Sequence, residues 1–323
     1  MNIKDYVLPT SLVVPFGVNI DTFIYLCLLT IFHPLGTWIL RFGNFELFSE
    51  KFCFTITLLW IIRGINKYYR SLPNINTNRT VLITGGSNGL GLECVKSLNS
   101  DVNVSKIIVV DLSPRLEFEH FKKVEFLKFD LNNDIEKLIQ QMNLEEIDVM
   151  VLNAGKRQTK TISSLSTSEL SSILNINLIS NIKLLKSYIE ISTQTTNKTR
   201  HIVVIGSVLG FVGPCKLGIY SCTKISLLAI LESLQTEIPS WIRLSMILPG
   251  QLNSQMFADV SVNEFLAPII DIRLLSLKIR NIVNNGENGS FAYPMYGRLL
   301  PIYQILPWWM QKCCRWFSGM DNV

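Results

Sequence analysis

The chain has 323 residues, of which 48% are apolar and 17% charged, with a net charge of +5. That length holds one α/β domain of about 200 to 250 residues plus an attached segment and leaves no room for two full domains; a composition oilier than that of an ordinary soluble enzyme implies that part of the surface meets lipid. The cations are scattered and the seven cysteines form no C-x-x-C pair or Cys/His cluster, which argues against a nucleic-acid partner, a disulfide framework and a bound metal.

Residues 1–70 read as a hydrophobic membrane-anchoring segment. Positions 22–40 contain no acid, lysine or arginine, a stretch able to enter or cross a bilayer although His33 and Pro34 sit inside it. A second apolar run, 52–62, is too short to span by itself. It leads into Arg63, Lys67, Tyr68, Tyr69 and Arg70, a cationic and aromatic edge suited to a cytoplasmic interface. The expectation is a hairpin or re-entrant element with everything after it on the cytoplasmic side; a soluble helical extension packed on the main domain is the alternative. Residues 71–79 read as a linker.

Residues 80–295 alternate short β-branched runs with helical patterns. Strands are predicted at 81–84, 106–111, 124–129, 148–152, 201–205 and 242–248, and helices at 91–98, 135–142, 168–190 and 221–237. Strands that are apolar throughout and separated by helices predict an α/β fold with a parallel sheet covered on both faces, the doubly wound Rossmann architecture. The aromatic C-terminal segment, 296–323, carries Arg298, Lys312 and Arg315 among its apolar residues. It reads as membrane-interfacial, as a helix folded over the substrate cleft, or as both. Within it, the adjacent Cys313 and Cys314 suit S-acylation near a membrane or stand as inert thiols.

Immediately after the first strand comes Thr84-Gly85-Gly86-Ser87-Asn88-Gly89-Leu90-Gly91, opening into a helix. Gly85 permits a tight turn, Gly89 lets backbone N–H groups approach a pyrophosphate, and Gly91 allows close helix-to-strand packing. The helix start then faces the anion. A glycine trio alone is weak evidence; a strand before it, a helix after it and Asp111 closing the second strand make it strong. Asp111 would accept hydrogen bonds from the adenosine ribose hydroxyls and repel a 2′-phosphate, which favours NAD over NADP. Asn88 and Leu112 agree with that preference, and Arg115 lies near enough to blur it.

Tyr220 and Lys224 stand four apart on one helical face. A phenol near its reference pKa of about 10 is a poor base at neutral pH, and a nearby cation lowers that value, so Tyr220 is a candidate general acid/base. Y-x-x-x-K is common by chance and needs company. Ser207, just after the fifth strand run, and Asn177, in the preceding helical stretch, supply it.

Taken together these motifs resemble the short-chain dehydrogenase/reductase family across about residues 78–294. The resemblance implies that Tyr220 exchanges a proton with the substrate oxygen while Ser207 hydrogen-bonds it. Lys224 would lower the Tyr220 pKa and bind nicotinamide ribose, and Asn177 would hold a water linking Lys224 to solvent. Asn153-Ala154-Gly155 is similar to the family's structural turn beside the cofactor; Asp130, with Leu131 beside it, corresponds to the adenine contact; Pro249 and Gly250 begin the segment that covers nicotinamide, with Ser254 where a threonine is usual. The sequence departs from the family at Leu152, which replaces the first Asn of N-N-A-G, and in the polar Lys156-Arg157 pair. The family often dimerises through helices around Asn177 and Tyr220.

An apolar anchor at one end and an aromatic segment at the other resemble, within that family, the retinol and 17β-hydroxysteroid dehydrogenase-like branch of the endoplasmic reticulum and lipid droplets. The expected substrate is therefore a lipophilic small molecule: a retinoid, steroid, sterol or long-chain alcohol or ketone. An NADPH-dependent ketolipid reductase and a non-catalytic dinucleotide-binding scaffold are the competing readings.

Overall fold

The computed structural model describes residues 61–62, 64–65, 77–195, 198–260 and 263–321. The predicted anchor run 22–40, most of 52–62 and the linker up to residue 76 lie outside the described residues. Among the described residues no helix is long and apolar enough to cross a membrane.

Seven parallel strands form one sheet in the order β3-β2-β1-β4-β5-β6-β7. They are β1 (Arg79–Thr84), β2 (Val104–Asp111), β3 (Val124–Lys128), β4 (Val149–Leu152), β5 (Arg200–Ile205), β6 (Ile242–Pro249) and β7 (Gly289–Tyr293). Side chains alternate between faces along a strand, so a sheet covered on both sides needs an unbroken apolar run. The strands obey this. Leu82, Ile108, Val110, Met150, Ile202 and Val204 enter one core cluster, while Val81, Ile83, Ile107, Val109, Val151 and Val203 enter the other. Each such side chain contributes about 1.5–3 kcal/mol by leaving water.

The helices that cover the faces are α1 (Gly89–Asn99), α2 (Ile135–Gln141), α3 (Thr167–Leu174), α4 (Ser180–Gln194), α5 (Gly218–Glu237) and α6 (Ile272–Asn285). Leu184, Leu185 and Tyr188 of α4 and Leu227 and Leu231 of α5 join the first cluster. Cys94, Val95 and Leu98 of α1 meet Ile279, Ile282 and Val283 of α6 in the second. Local signals set the ends: Ser166 and Glu169 form a capping box at α3, and Gly286 closes α6 in the left-handed region. A π-helical turn, Asn175–Ile179, joins α3 to α4, so the stretch predicted as one helix is one helix with a bulge, a feature that recurs at functional sites.

Two elements have no counterpart in the sequence reading, α6 and β7. The C-terminal segment forms α7 (Leu300–Ile305) and α8 (Trp308–Ser318), both set against the mouth of the cleft described next.

Candidate active site

The carboxyl ends of β1, β2, β4, β5 and β6 open onto one cleft of about 1130 Å³. It lies where the strand order reverses between β1 and β4, the position at which doubly wound sheets take ligands. At its floor Gly85 has φ +68, and a Cβ there would stand 2.8 Å from the Ala154 backbone. Gly91 packs so closely on the turn that its Cβ would lie 2.1 Å from the Gly85 carbonyl oxygen. Gly89, at φ +53, is different, because its Cβ would meet only Ser254 at 3.8 Å. The space above the start of α1 is therefore open on the cleft side.

Asp111 ends β2 beside this turn. Its Oδ2 accepts from the Ser87 N–H at 2.8 Å and its Oδ1 from the Leu112 N–H at 2.7 Å. Each carboxylate oxygen keeps a lone pair for a further donor. Arg115 reaches the same turn, donating from Nε to the Ser87 carbonyl at 2.6 Å and from Nη2 to Asn88 Oδ1. A cation and a carboxylate thus flank one end of the cleft.

At the other end Tyr220, in the first turn of α5, is buried, and burial pushes its phenol up to about 12 against an opposing hydrogen bond with Ser207. Ser207 Oγ also accepts from the Leu209 N–H at 3.1 Å. Lys224, one helical turn on from Tyr220, is buried too, and desolvation pulls it down to about 8. Its Nζ donates to the Ile205 carbonyl at 2.9 Å and stands 5.6 Å from the centre of the Tyr220 ring. Burial thus outweighs, in this arrangement, the lowering expected from the lysine. The ammonium faces the ring, tied to a carbonyl, and loss of hydration dominates the phenol.

Asn177 sits in the π-helical turn, fully buried. Its Oδ1 accepts from the Lys156 N–H at 2.7 Å and its Nδ2 donates to the Lys156 carbonyl at 2.9 Å. The amide therefore clamps the backbone just past Gly155 rather than facing the cleft. A Cβ on Gly155 would stand 3.7 Å from both Asn177 Oδ1 and Lys224 Nζ, so the missing side chain leaves a gap between the two.

Of the residues read from the sequence as cofactor-binding or catalytic, all line the cleft except Thr84, Ser87, Gly91 and Asn177. Thr84 corrects the expectation most clearly: it is buried, and its Oγ1 accepts from the backbone N–H groups of Asn153 and Ala154 at 3.1 and 3.2 Å. Its hydroxyl ties the glycine turn to the turn after β4. Asn153 completes that tie by donating from Nδ2 to the carbonyls of Thr84 and Gly85. Sequence reasoning missed Gln158, whose Oε1 accepts from the Ile219 N–H at 2.8 Å, and Phe257, whose ring meets that of Tyr220 edge-on at 6.0 Å. It also left open whether the C-terminal segment reaches the cleft. Leu300, Tyr303, Leu306 and Phe317 form part of its wall.

A glycine-lined turn open at a helix start, a carboxylate beside it and a buried phenol next to an ammonium fit a nicotinamide dinucleotide, and they define the class of doubly wound oxidoreductases. The chain belongs to the short-chain dehydrogenase family, whose profile matches residues 79–264. Two uncharacterized oxidoreductases of Saccharomyces cerevisiae are similar to it. One, TDA5, is 32% identical over 281 residues, covering 83% of this chain and 84% of its own, and the other is 31% identical over 276 residues, covering 78% and 87%. Retinol dehydrogenase 8 of Homo sapiens is 28% identical over 203 residues, covering 58% of this chain and 64% of its own. Among solved structures, 4-hydroxyisoleucine dehydrogenase complexed with NADH superposes with a TM-score of 0.59 at 20% identity, covering 67% of this chain and 96% of its own. A short-chain dehydrogenase from Sphingobium yanoikuyae in complex with NADPH gives 0.57, also at 20% identity, covering 71% and 97%. The chain is an oxidoreductase of that family.

Proposed function

We propose that the protein is a membrane-associated, NAD-dependent oxidoreductase that moves a hydride to or from the hydroxyl or carbonyl carbon of a lipophilic substrate, a retinoid, steroid, sterol or long-chain alcohol or ketone. The observation that carries this reading is the cleft wall beyond Tyr220. There Leu300 and Leu306 line the cleft, while Trp308, Trp309 and Trp316 of α8 are 69%, 66% and 78% exposed. An apolar wall favours an apolar substrate, and exposed tryptophans beside lysine and arginine favour a lipid interface. The name of retinol dehydrogenase 8 points the same way. The composition of residues 1–70 supports an anchor there, with the sheet domain on the cytoplasmic side of the endoplasmic reticulum or a lipid droplet.

In this reading Gly89 and the start of α1 hold the pyrophosphate, Asp111 the adenosine ribose, Asp130 and Leu131 the adenine end, and Asn153, Ala154, Gly155, Pro249 and Gly250 the nicotinamide end. The nicotinamide supplies or accepts the hydride. In oxidation Tyr220 takes the hydroxyl proton as the carbon–hydrogen bond breaks with its electron pair and the carbonyl forms; reduction runs the same steps backwards, Tyr220 giving its proton to the carbonyl oxygen. Ser207 steadies that oxygen through its hydroxyl. Lys224 holds positive charge beside the phenol, favouring its deprotonated form when oxidation demands it. An NADPH-dependent ketone reductase is the second reading, and Arg115 is the observation that favours it, since its guanidinium stands where a 2′-phosphate would find charge.

A panel of retinol, a hydroxysteroid and a long-chain secondary alcohol, set against short water-soluble alcohols, tests the proposal by NADH absorbance. Turnover should favour the lipophilic members. Equal or better turnover of short alcohols would overturn the substrate class. Deletion of residues 1–70 together with Trp308→Ser, Trp309→Ser and Trp316→Ser should release the protein from membranes; retention of the doubly altered protein would remove the membrane part of the reading.

A further inference from the structure

The polar pair that departs from the family pattern, Lys156-Arg157, lies directly behind Gly155, and its arginine is turned away from water. The Arg157 side chain is 9% exposed. Its Nη2 pairs with Asp259 at 2.6 Å, its guanidinium carbon stands 5.1 Å over the Phe257 ring, and its Nη1 is buried with no hydrogen-bond partner in the protein. Phe257 in turn meets the Tyr220 ring edge-on, at an interplanar angle of 75°. Two contacts in series therefore run from the segment after β4, through Phe257 of the 3₁₀ turn Gln255–Phe257, to the tyrosine, with the Asp259 ion pair beside them.

A guanidinium kept from water with one donor unmet is unfavourable by itself. An ion pair whose acid is mostly exposed adds little to stability. General stability is thus a poor explanation for this arrangement, and geometry is a better one. Arginine can lay its flat face on an aromatic ring while its edge reaches a carboxylate, which lysine cannot do with a point charge. The turn that Arg157 grips lines the cleft next to Tyr220.

We propose that Arg157 is a positioning residue that latches residues 255–260 over the cleft and fixes Phe257 against Tyr220, shielding the proton-transfer group from water. Closing a site in this way strengthens the electrostatic interactions within it. The inference rests on the reading of Tyr220 as the proton-transfer residue, and its test reads the shielding directly, so each can fail without the other.

The experiment compares full-length wild type with Arg157→Ala, Asp259→Ala and Arg157→Lys. Each is treated with tetranitromethane in the presence of NADH, and nitrated tyrosines are located by mass spectrometry. Tyr188, fully buried in the core, reports general loosening. Nitration of Tyr220 should rise about tenfold in Arg157→Ala and Asp259→Ala while Tyr188 stays unreacted, the behaviour of a local opening and not of global unfolding. Arg157→Lys keeps the charge and should restore part of the protection. Unchanged Tyr220 nitration in both alanine variants, or a parallel rise at Tyr188, overturns the proposal. Should Arg157→Ala not fold, the exposed Asp259→Ala decides.

Discussion

Gln158 caps the helix that carries Tyr220. Helix α5 begins at Gly218 with no side chain from its own sequence on its first N–H groups, and the Gln158 side-chain oxygen, Oε1, accepts from one of them, at Ile219. Unmet N–H groups at a helix start are stabilised by such acceptors. Gln158→Ala should therefore cost about 1 kcal/mol, as loss of a cap does, and should lower turnover at saturating substrate more than it raises KM. Thermal melting and steady-state kinetics together check both halves.

Tyr220 and Lys224 have been shifted in opposite senses by the same burial, the phenol up to about 12 and the ammonium down to about 8. The phenol is therefore held as the proton donor that ketone reduction needs, and the charge lost as pH rises through about 8 is that of Lys224. Ketone reduction should fall above that pH, and Lys224→Arg, which keeps its charge, should flatten the fall. Tyr220→Phe should bind NADH normally and lose about 10² to 10⁴ in turnover; a variant that still turns over removes the tyrosine from the mechanism.

Asp111 and Arg115 grip the same glycine turn from opposite signs of charge. Asp111→Ala should move the NADPH to NADH affinity ratio toward NADPH by about tenfold, the loss of one hydrogen bond to a charged group. Arg115→Ala should move the ratio the other way. Because the two substitutions disturb the turn alike, the ratio is the quantity to measure; no movement in either would dissociate this end of the cleft from cofactor choice.

Gly155 offers a cleaner probe of the gap between Asn177 and Lys224. A methyl group there lies at ordinary contact distance from both, so Gly155→Ala should melt within a few degrees of wild type. Filling the gap should nonetheless cut turnover at least tenfold, as removal of a proton path to Lys224 would. Full activity in a correctly folded variant would show that nothing needs to pass there.

The parts of the fold that were legible in advance are those whose physics is local. Val81 to Ile83 and Ile202 to Val204 are apolar throughout because each strand feeds two cores, and the glycine turn needs its residues whatever surrounds it. Helix α6 was not foreseen although Leu275, Ile279, Ile282 and Val283 recur at helical spacing, since arginine, lysine and asparagine separate them and no chemistry draws the eye. Strand β7 is Gly-Ser-Phe-Ala-Tyr, a weak sequence for a strand, held extended by pairing with β6. Contacts such as Arg157 with Asp259 and Gln158 with Ile219 join residues far apart in the chain, and no spacing rule announces them.

The π-helical turn under Asn177 has a consequence for how this chain tolerates change. One surplus residue is wound into a single turn, so α3 and α4 are out of phase with each other by about 100°, the rotation of one helical residue. Removing any residue between 175 and 179 would let an ordinary spiral run through, swinging the Asn177 amide off the Lys156 backbone and turning the buried stripe of α3 or α4 toward solvent. Exchanges of side chain in this stretch can be absorbed, whereas a change in its length cannot.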